Sequence, residues 1–148
     1  MNSETKPTKI STVIRHWHLF DVKGKVLGRV TTEIAHALMG KAKPYFVRHL
    51  DCGDHVVVTN ASHVAVTGEK EKTKLYSHYS GFPGGLKQKP LWKVRIEKPA
   101  EIIRHAVMGM LPKNKLRDRM ITRLYVYPES EHPYEKKVHT IQKKKIQN

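Results

Sequence analysis

Cysteine is nearly missing from this chain. Cys52 is the only one, so no internal disulfide can form and a reducing compartment is expected. Acidic residues are also few: 13 Asp and Glu against 28 Lys and Arg leave a net charge of +15 with histidine neutral. An excess of that size repels itself in a compact state. It argues for a polyanionic partner, nucleic acid ahead of an anionic membrane surface. Long apolar runs are lacking too. The longest span a few residues, against the ~20 needed to cross a bilayer, so no membrane contact is expected. The opening MNSETKPTKISTVIRHW has no apolar core of a secretory signal, although its polar, Lys-dotted composition also fits a very short organellar targeting segment. No internal repeat of useful length is present.

What is present suits one globular domain. With 148 residues, 39% of them hydrophobic, the chain can bury a single core. The expected organisation is a flexible arm over 1–14, one α/β domain over 15–128 and a polar basic tail over 129–148. WHLFDV (17–22) alternates and predicts a strand. VLGRVTTEIAHALMG (26–40) sets Leu27, Val30, Ile34 and Leu38 on one helical face, with Gly40 as its C-terminal cap. HVVVTNASHVAV (55–66) carries a valine run that predicts a strand covered on both faces. KPAEIIRHAVMGM (98–110) predicts a second helix, with Pro99 in its first turn, Glu101 near its N-terminus and Ile102, Ile103, Ala106, Val107 and Met110 on its apolar side. KLYSHYS (74–80) and RLYVYP (123–128) predict short strands. Such alternation of strands and helices predicts an α/β layer fold around a mostly parallel sheet.

Two segments carry the charge. In GMLPKNKLRDRM (109–120), Pro112 disfavours helix at Leu111 and so ends the second helix there. If 114–123 is helical, Lys115, Arg119 and Arg123 form one stripe, beside an apolar stripe of Leu116, Met120 and Leu124. Like charges four residues apart disfavour a helix by ~0.2–0.5 kcal/mol each. Asp118 alone offsets the five cations between 113 and 123, so the stripe predicts an external anion, namely phosphate. The second segment, TGEKEKTKLYSHYSGFPGGLKQK (67–89), interleaves Lys70, Lys72, Lys74, Lys87 and Lys89 with Tyr76, His78 and Tyr79, whose rings can stack on bases. Gly81, Gly84 and Gly85 permit tight turns and close approach to a partner. The stretch matches neither GxxxxGK[ST] nor GxGxxG, so it gives no support to a nucleotide-binding enzyme.

Metal and catalytic readings gain little. The ten histidines fall at no standard zinc spacing, and there is no HExxH or second cysteine. LDCGDHVVV (50–58) offers Asp51, Asp54 and Cys52 as an acid–base pair or a nucleophile, but no partner is specified. A turn capped by Asx side chains is the better expectation. No cofactor, metal, small-molecule substrate or catalytic residue is expected. The rival readings are an α/β enzyme acting on a phosphorylated substrate and a free RNA-binding regulator of translation.

Taken in order, several stretches resemble the thirteenth large-subunit ribosomal protein family: WHLFDVKGKVLGR (17–29), DCGDHVVVTNA (51–61), VAVTGEK (64–70), YSHYSGFPGGLK (76–87), VMGMLPKNKL (107–116) and LYVY (124–127). The resemblance covers the chain from about Arg15 to His132. It implies a three-layer α/β/α single domain around a small, mostly parallel sheet, with basic loop extensions. It also implies binding to large-subunit ribosomal RNA, support of early subunit assembly without catalysis, and neighbouring large-subunit ribosomal proteins as partners. The ribosome would be cytoplasmic or organellar. The residues expected to face RNA are Lys41, Lys43 and Arg48, then Lys70, Lys72, Lys74, Tyr76, His78, Gly84, Gly85 and Lys87, then Lys113, Lys115, Arg117, Arg119 and Arg123. Two positions depart from the family: Arg117 stands where many bacterial members have glycine, and Tyr134 where a second histidine is common.

Overall fold

The computed structural model describes residues 7–138. Residues 1–6 of the expected arm and 139–148 of the expected tail lie outside the described residues. Strands β1 (Trp17–Asp21), β2 (His55–Thr59) and β5 (Leu124–Val126) form a parallel sheet in the order β1-β2-β5. A separate antiparallel ribbon joins β3 (Leu75–Tyr79) to β4 (Leu86–Pro90). Between them run α1 (Leu27–Met39), α2 (Lys70–Thr73), α3 (Leu91–Glu97), α4 (Pro99–Met110) and α5 (Leu116–Ile121). The expected α/β fold with its parallel sheet is present.

Each major element forms for a local reason. In α1, Leu27, Val30, Ile34 and Leu38 are buried, as their spacing requires, and Thr31 is buried with them. The Thr31 hydroxyl donates to the Leu27 carbonyl at 2.8 Å, so its burial leaves no donor unpaired. Gly40 ends the helix in the left-handed region at φ 75°. In α4, Pro99 sits in the first turn, where its missing N–H costs nothing, and Ile102, Ile103 and Val107 face inward. The helix stops at Leu111, which is extended (ψ 148°) ahead of Pro112.

The alternation of the strands divides the sheet into two unlike faces. Phe20, Val56, Val58, Leu124 and Val126 pack toward α1 and α4 in the main core. The opposite face is aromatic. Trp17 stacks on His55 (centroids 4.3 Å apart, 9° between planes) and on Tyr125 (5.6 Å, 15°), and Val57 is fully buried among this layer's strands. Residues 133–138, expected to belong to a polar tail, turn back onto this face. Tyr134 stacks on Trp17 at 5.0 Å, the Lys137 ammonium lies 4.9 Å from the indole centroid, and Val138 is buried. Helical residues 135–138 thus contribute to a second covering layer.

Three expectations need correction. The second strand stops at Thr59 rather than reaching 66: Asn60 turns into the left-handed region at φ 61°, and a 3-10 turn follows over Ala61–His63. The break is held by the Asn60 and Ala61 amides, which donate to the carbonyls of Glu129 and Tyr127. The excursion over 67–89, expected around the one strand at 74–80, also holds the short helix α2 before that strand and β4 after Gly85, and α3 follows directly. The helix expected over 114–123 is shorter, running only from Leu116 to Ile121.

Gly53 decides how closely α1 approaches β2. A Cβ there would lie 1.7 Å from the Leu38 carbonyl oxygen and 2.8 Å from Arg123 Nη2. Gly28, in the first turn of α1, has open space around it. Gly53→Ala should therefore destabilise the protein by about 2–3 kcal/mol, because backbone must move. Gly28→Ala should stabilise it by about 0.5 kcal/mol through the unfolded chain. Urea unfolding of both variants checks the contrast; equal effects would mean the close approach at Gly53 is not a constraint.

Candidate nucleic-acid interface

Beyond Pro112 the chain restarts as the basic segment. Asn114 opens it: its side-chain oxygen accepts the Leu116 amide at 3.1 Å. The apolar edge then sits as the sequence predicts, with Met120 and Leu124 buried and Leu116 half-buried against the core. On the other edge, Lys113, Lys115 and Arg119 are exposed and Arg117 is half-buried. None of these four makes an ion pair among the described residues. The Arg117 Nε is buried without a hydrogen-bond partner.

Arg123 does not belong to that edge. The expectation of a Lys115–Arg119–Arg123 stripe fails because α5 ends at Ile121, and Arg123 turns inward to 8% exposure. Its guanidinium meets Asp51 in a fork, Nη1 to Oδ2 and Nη2 to Oδ1, both at 2.5 Å. This is the bidentate geometry that makes Arg–carboxylate pairs strong. Arg15 adds a looser contact to the same carboxylate at 3.4 Å.

Lys43 is a second correction. Its ammonium donates to Asp54 Oδ1 at 2.5 Å and to the carbonyls of Ile14 and Cys52 at 2.6 and 2.8 Å. With all three donors satisfied and the side chain 10% exposed, it is an internal anchor. Asp54 also accepts the His16 amide and pairs with His18 Nε2, each at 2.9 Å. The Asp51-to-Asp54 loop is therefore a junction of ion pairs more than a turn. The expected Asx contact, from the Gly53 amide to Asp51 Oδ1, is present but long at 3.4 Å. Cys52 is buried.

Lys41 and Arg48, in the loop that leads from α1 to Asp51, are exposed and without an ion pair among the described residues. Next to the junction, a groove of about 630 Å³ runs between residues 10–15 and α5, lined by Ile10, Arg15, His49, Leu116, Arg119 and Thr122 together with the acid Asp118, with Asp51 and Arg123 in its wall. The structure thus gathers residues from three distant segments at one basic surface.

The ribbon forms a second basic region. Its register pairs Tyr76 with Lys89 and His78 with Lys87, which places these four on one face. The other face holds Leu75, Tyr79 and Leu86, all exposed. The Lys74 ammonium lies 5.4 Å from the Tyr76 ring centroid, and Lys70 contacts the Thr67 hydroxyl at 3.4 Å; Lys72 is exposed. Gly84 takes φ 73° in the turn, and a Cβ on Gly85 would displace the Ser80 hydroxyl and crowd the Phe82 carbonyl, so both have a role in closing the ribbon. The excursion is clamped to the body by Arg95. Its guanidinium takes Glu71 in a fork at 2.8 and 2.9 Å and donates to the carbonyls of Ser62 and Val64.

Sequence reasoning missed two parts of these surfaces. Arg15 at the first region carried no motif. Arg104 and His105 line a cleft with the ribbon; the 3.6-residue period of α4 places them with Glu101 and Met108 opposite the apolar side, a signal that was available.

A model of the family described as ribosomal protein L13 matches residues 15–133. Similar proteins include the large ribosomal subunit protein uL13 of Solibacter usitatus, 51% identical over 86% of this chain and 89% of its own. That of Caldanaerobacter subterraneus is 52% identical over 86% and 89%, and that of Geobacter sulfurreducens 50% identical over 88% and 92%.

Acid should open the junction. Burial works against the Asp54 charge, but hydrogen bonds from His18, the His16 amide and Lys43 outweigh it and bring the carboxyl from 3.8 down to about 2. A depressed acid stabilises the fold above its unfolded pKa, and the contribution is lost as pH falls from about 4 to about 2, roughly 2 kcal/mol in all. Asp54→Asn should be less stable than the parent at pH 6, with the gap narrowing by about two thirds of that amount at pH 2.5. A gap that stays constant in urea titrations at the two pH values would remove Asp54 as the titrating group.

Proposed function

The chain belongs to the ribosomal protein L13 family, and from that membership we propose that it is a structural constituent of the large ribosomal subunit. It binds large-subunit rRNA, supports early subunit assembly and performs no catalysis. Its neighbours are that RNA and other large-subunit proteins, and its compartment is the cytoplasm. The globular unit is the 15–128 stretch with its clasp from residues 133–138.

The observation that carries this reading is the partition of charge. Asp51, Asp54, Glu71, Glu97 and Glu101 are held by basic side chains of this same chain. Lys113, Lys115, Arg117 and Arg119 remain without such partners among the described residues, as do Lys41 and Arg48. A surface of that kind is compensated by phosphates, whose contacts fix position and affinity and leave sequence unread. Recognition then comes from the shape of folded RNA. The ribbon residues Lys70, Lys72, Lys74, Tyr76, His78, Gly84, Gly85 and Lys87 form the second contact region. Arg123 and Lys43 act behind the surface, by holding the junction that supports it.

Variants separate the two roles. Lys115→Glu with Arg119→Glu should keep the unfolding midpoint within a few degrees while weakening rRNA binding. The slope of log K against log salt should become shallower by about 2, one unit for each phosphate contact. Arg123→Ala should instead destabilise the fold by about 3 kcal/mol, since it strands a buried carboxylate. Normal RNA binding by the double variant would refute the basic edge as an interface. For the whole reading, the tagged protein should sediment with the large subunit on a sucrose gradient after a high-salt wash. A peak at the top of the gradient would favour a free RNA-binding regulator.

A further inference from the structure

The ribbon face bearing Tyr76, His78, Lys87 and Lys89 does not point to open solvent along its whole length. It stands across from the stripe Glu101, Arg104, His105 and Met108 of α4, and the two enclose a cleft of about 500 Å³. Periodicity builds both walls. Alternation sends Tyr76 and His78 to one side of β3, with their register partners Lys89 and Lys87 beside them. Spacings of three and four bring Glu101, Arg104, His105 and Met108 to one side of α4, away from buried Ile102, Ile103 and Val107.

We infer that this cleft holds one unstacked RNA nucleotide, its base against Tyr76, His105 and Met108 and its phosphate between Lys87 and Arg104. The inference rests on the RNA-binding reading and adds to it a mode of contact and three residues of α4. The cleft falls in the size range of small-ligand sites. Its walls combine the three aromatic rings of Tyr76, His78 and His105 and the apolar side chains of Val94 and Met108 with cations on both sides. A phosphate alone has no use for the apolar walls, and an apolar peptide has none for the cations. A base carrying its ribose and phosphate uses both.

The charges support the same occupant. Lys89 is tied to Glu97 at 2.7 Å, and Glu101 is held by Lys98 at 3.3 Å. Lys87 and Arg104 have no ion pair among the described residues, so each side of the cleft offers one uncompensated cation. The platform is also set in advance. His105 meets the Tyr76 ring edge-on, with centroids 5.2 Å apart and planes at 82°, and Lys74 lies over that ring. Ordering these side chains on binding therefore costs little. A duplex cannot fill such a slot, because its bases are stacked and its deep groove is closed to side chains. A bulge or loop nucleotide can.

The test is chemical probing of base accessibility, nucleotide by nucleotide, on large-subunit rRNA bound by the full chain at saturating protein. The parent is compared with Lys87→Ala/Arg104→Ala and with His105→Ala, all at exposed positions. The expected result is one nucleotide whose reactivity changes with the parent and returns to the free-RNA level with both variants. The dissociation constant should rise about tenfold, the size of one lost base stack. A parent that binds rRNA but leaves the same reactivity pattern as both variants would overturn the inference while the RNA-binding reading stands. A parent that fails to bind rRNA would defeat that reading itself. Tight binding of free adenosine monophosphate in the cleft, displaced by Lys87→Ala/Arg104→Ala with no rRNA nucleotide affected, would assign the site to a free nucleotide and also overturn it.

Discussion

Between Gly40 and β2 the chain passes through Asp51, Cys52, Gly53 and Asp54, and there both carboxylates are tied to cations from other elements. Asp51 holds Arg123 from the end of α5 and, more loosely, Arg15 from the approach to β1. Asp54 holds Lys43 from the loop after α1, together with His16 and His18. Three other segments, the approach to β1, the loop after α1 and the end of α5, meet at this one short loop. Gly53 lets that loop press against the end of α1, since any side chain would strike the Leu38 carbonyl. Ion pairs this buried gain little net stability over apolar packing, but losing one partner strands the other. Their effect is to fix geometry. The loop over 41–51, the start of β1 and the close of α5 cannot move independently while the pairs hold.

The exposed cations depend on that geometry. α5 has only six residues, far below the length at which an isolated helix persists in water, and its neighbouring like charges oppose it. It is formed because Met120 and Leu116 pack on the core and because Arg123, just past its end, is locked to Asp51. A cationic residue turned inward thus supports cationic residues turned outward. Arg95 does the same for the ribbon, by joining α2 and α3 through Glu71 and two backbone carbonyls.

Much of the fold could be read from the chain, and the reasons differ by element. The helices α1 and α4 declare themselves through a clear apolar period, a glycine in the left-handed region at one end and a proline in the first turn of the other. The central strand was evident from its valines, but its end was not: Thr59 and Asn60 look alike in pattern, and the stop comes from amide bonds to residues 127 and 129. Residues 133–138 read as tail because a tyrosine and a valine among charges give no period, whereas their burial depends on an aromatic surface built by three other strands. The candidate site was legible as charge and less so as individual residues. Charge runs identify a surface, yet Lys43 and Arg123 look no different in sequence from Lys41 and Arg119. Only the positions of Asp51 and Asp54 in space decide which cations stay free.

That selection bears on how the protein can meet RNA. A surface of mobile lysines would bind any polyanion through counterion release, with little geometry. Here the free cations stand on elements whose ends are fixed, and the ribbon presents rings already set by contacts of their own. Phosphates can then be bound only where a folded RNA brings them to matching places, so fixed spacing supplies a selectivity that charge alone lacks. Shape-based recognition of RNA needs a rigid surface more than specific base contacts. The buried pairs at Asp51 and Asp54 and the Arg95 clamp provide that rigidity, at a modest net gain in stability that is consistent with their role in positioning.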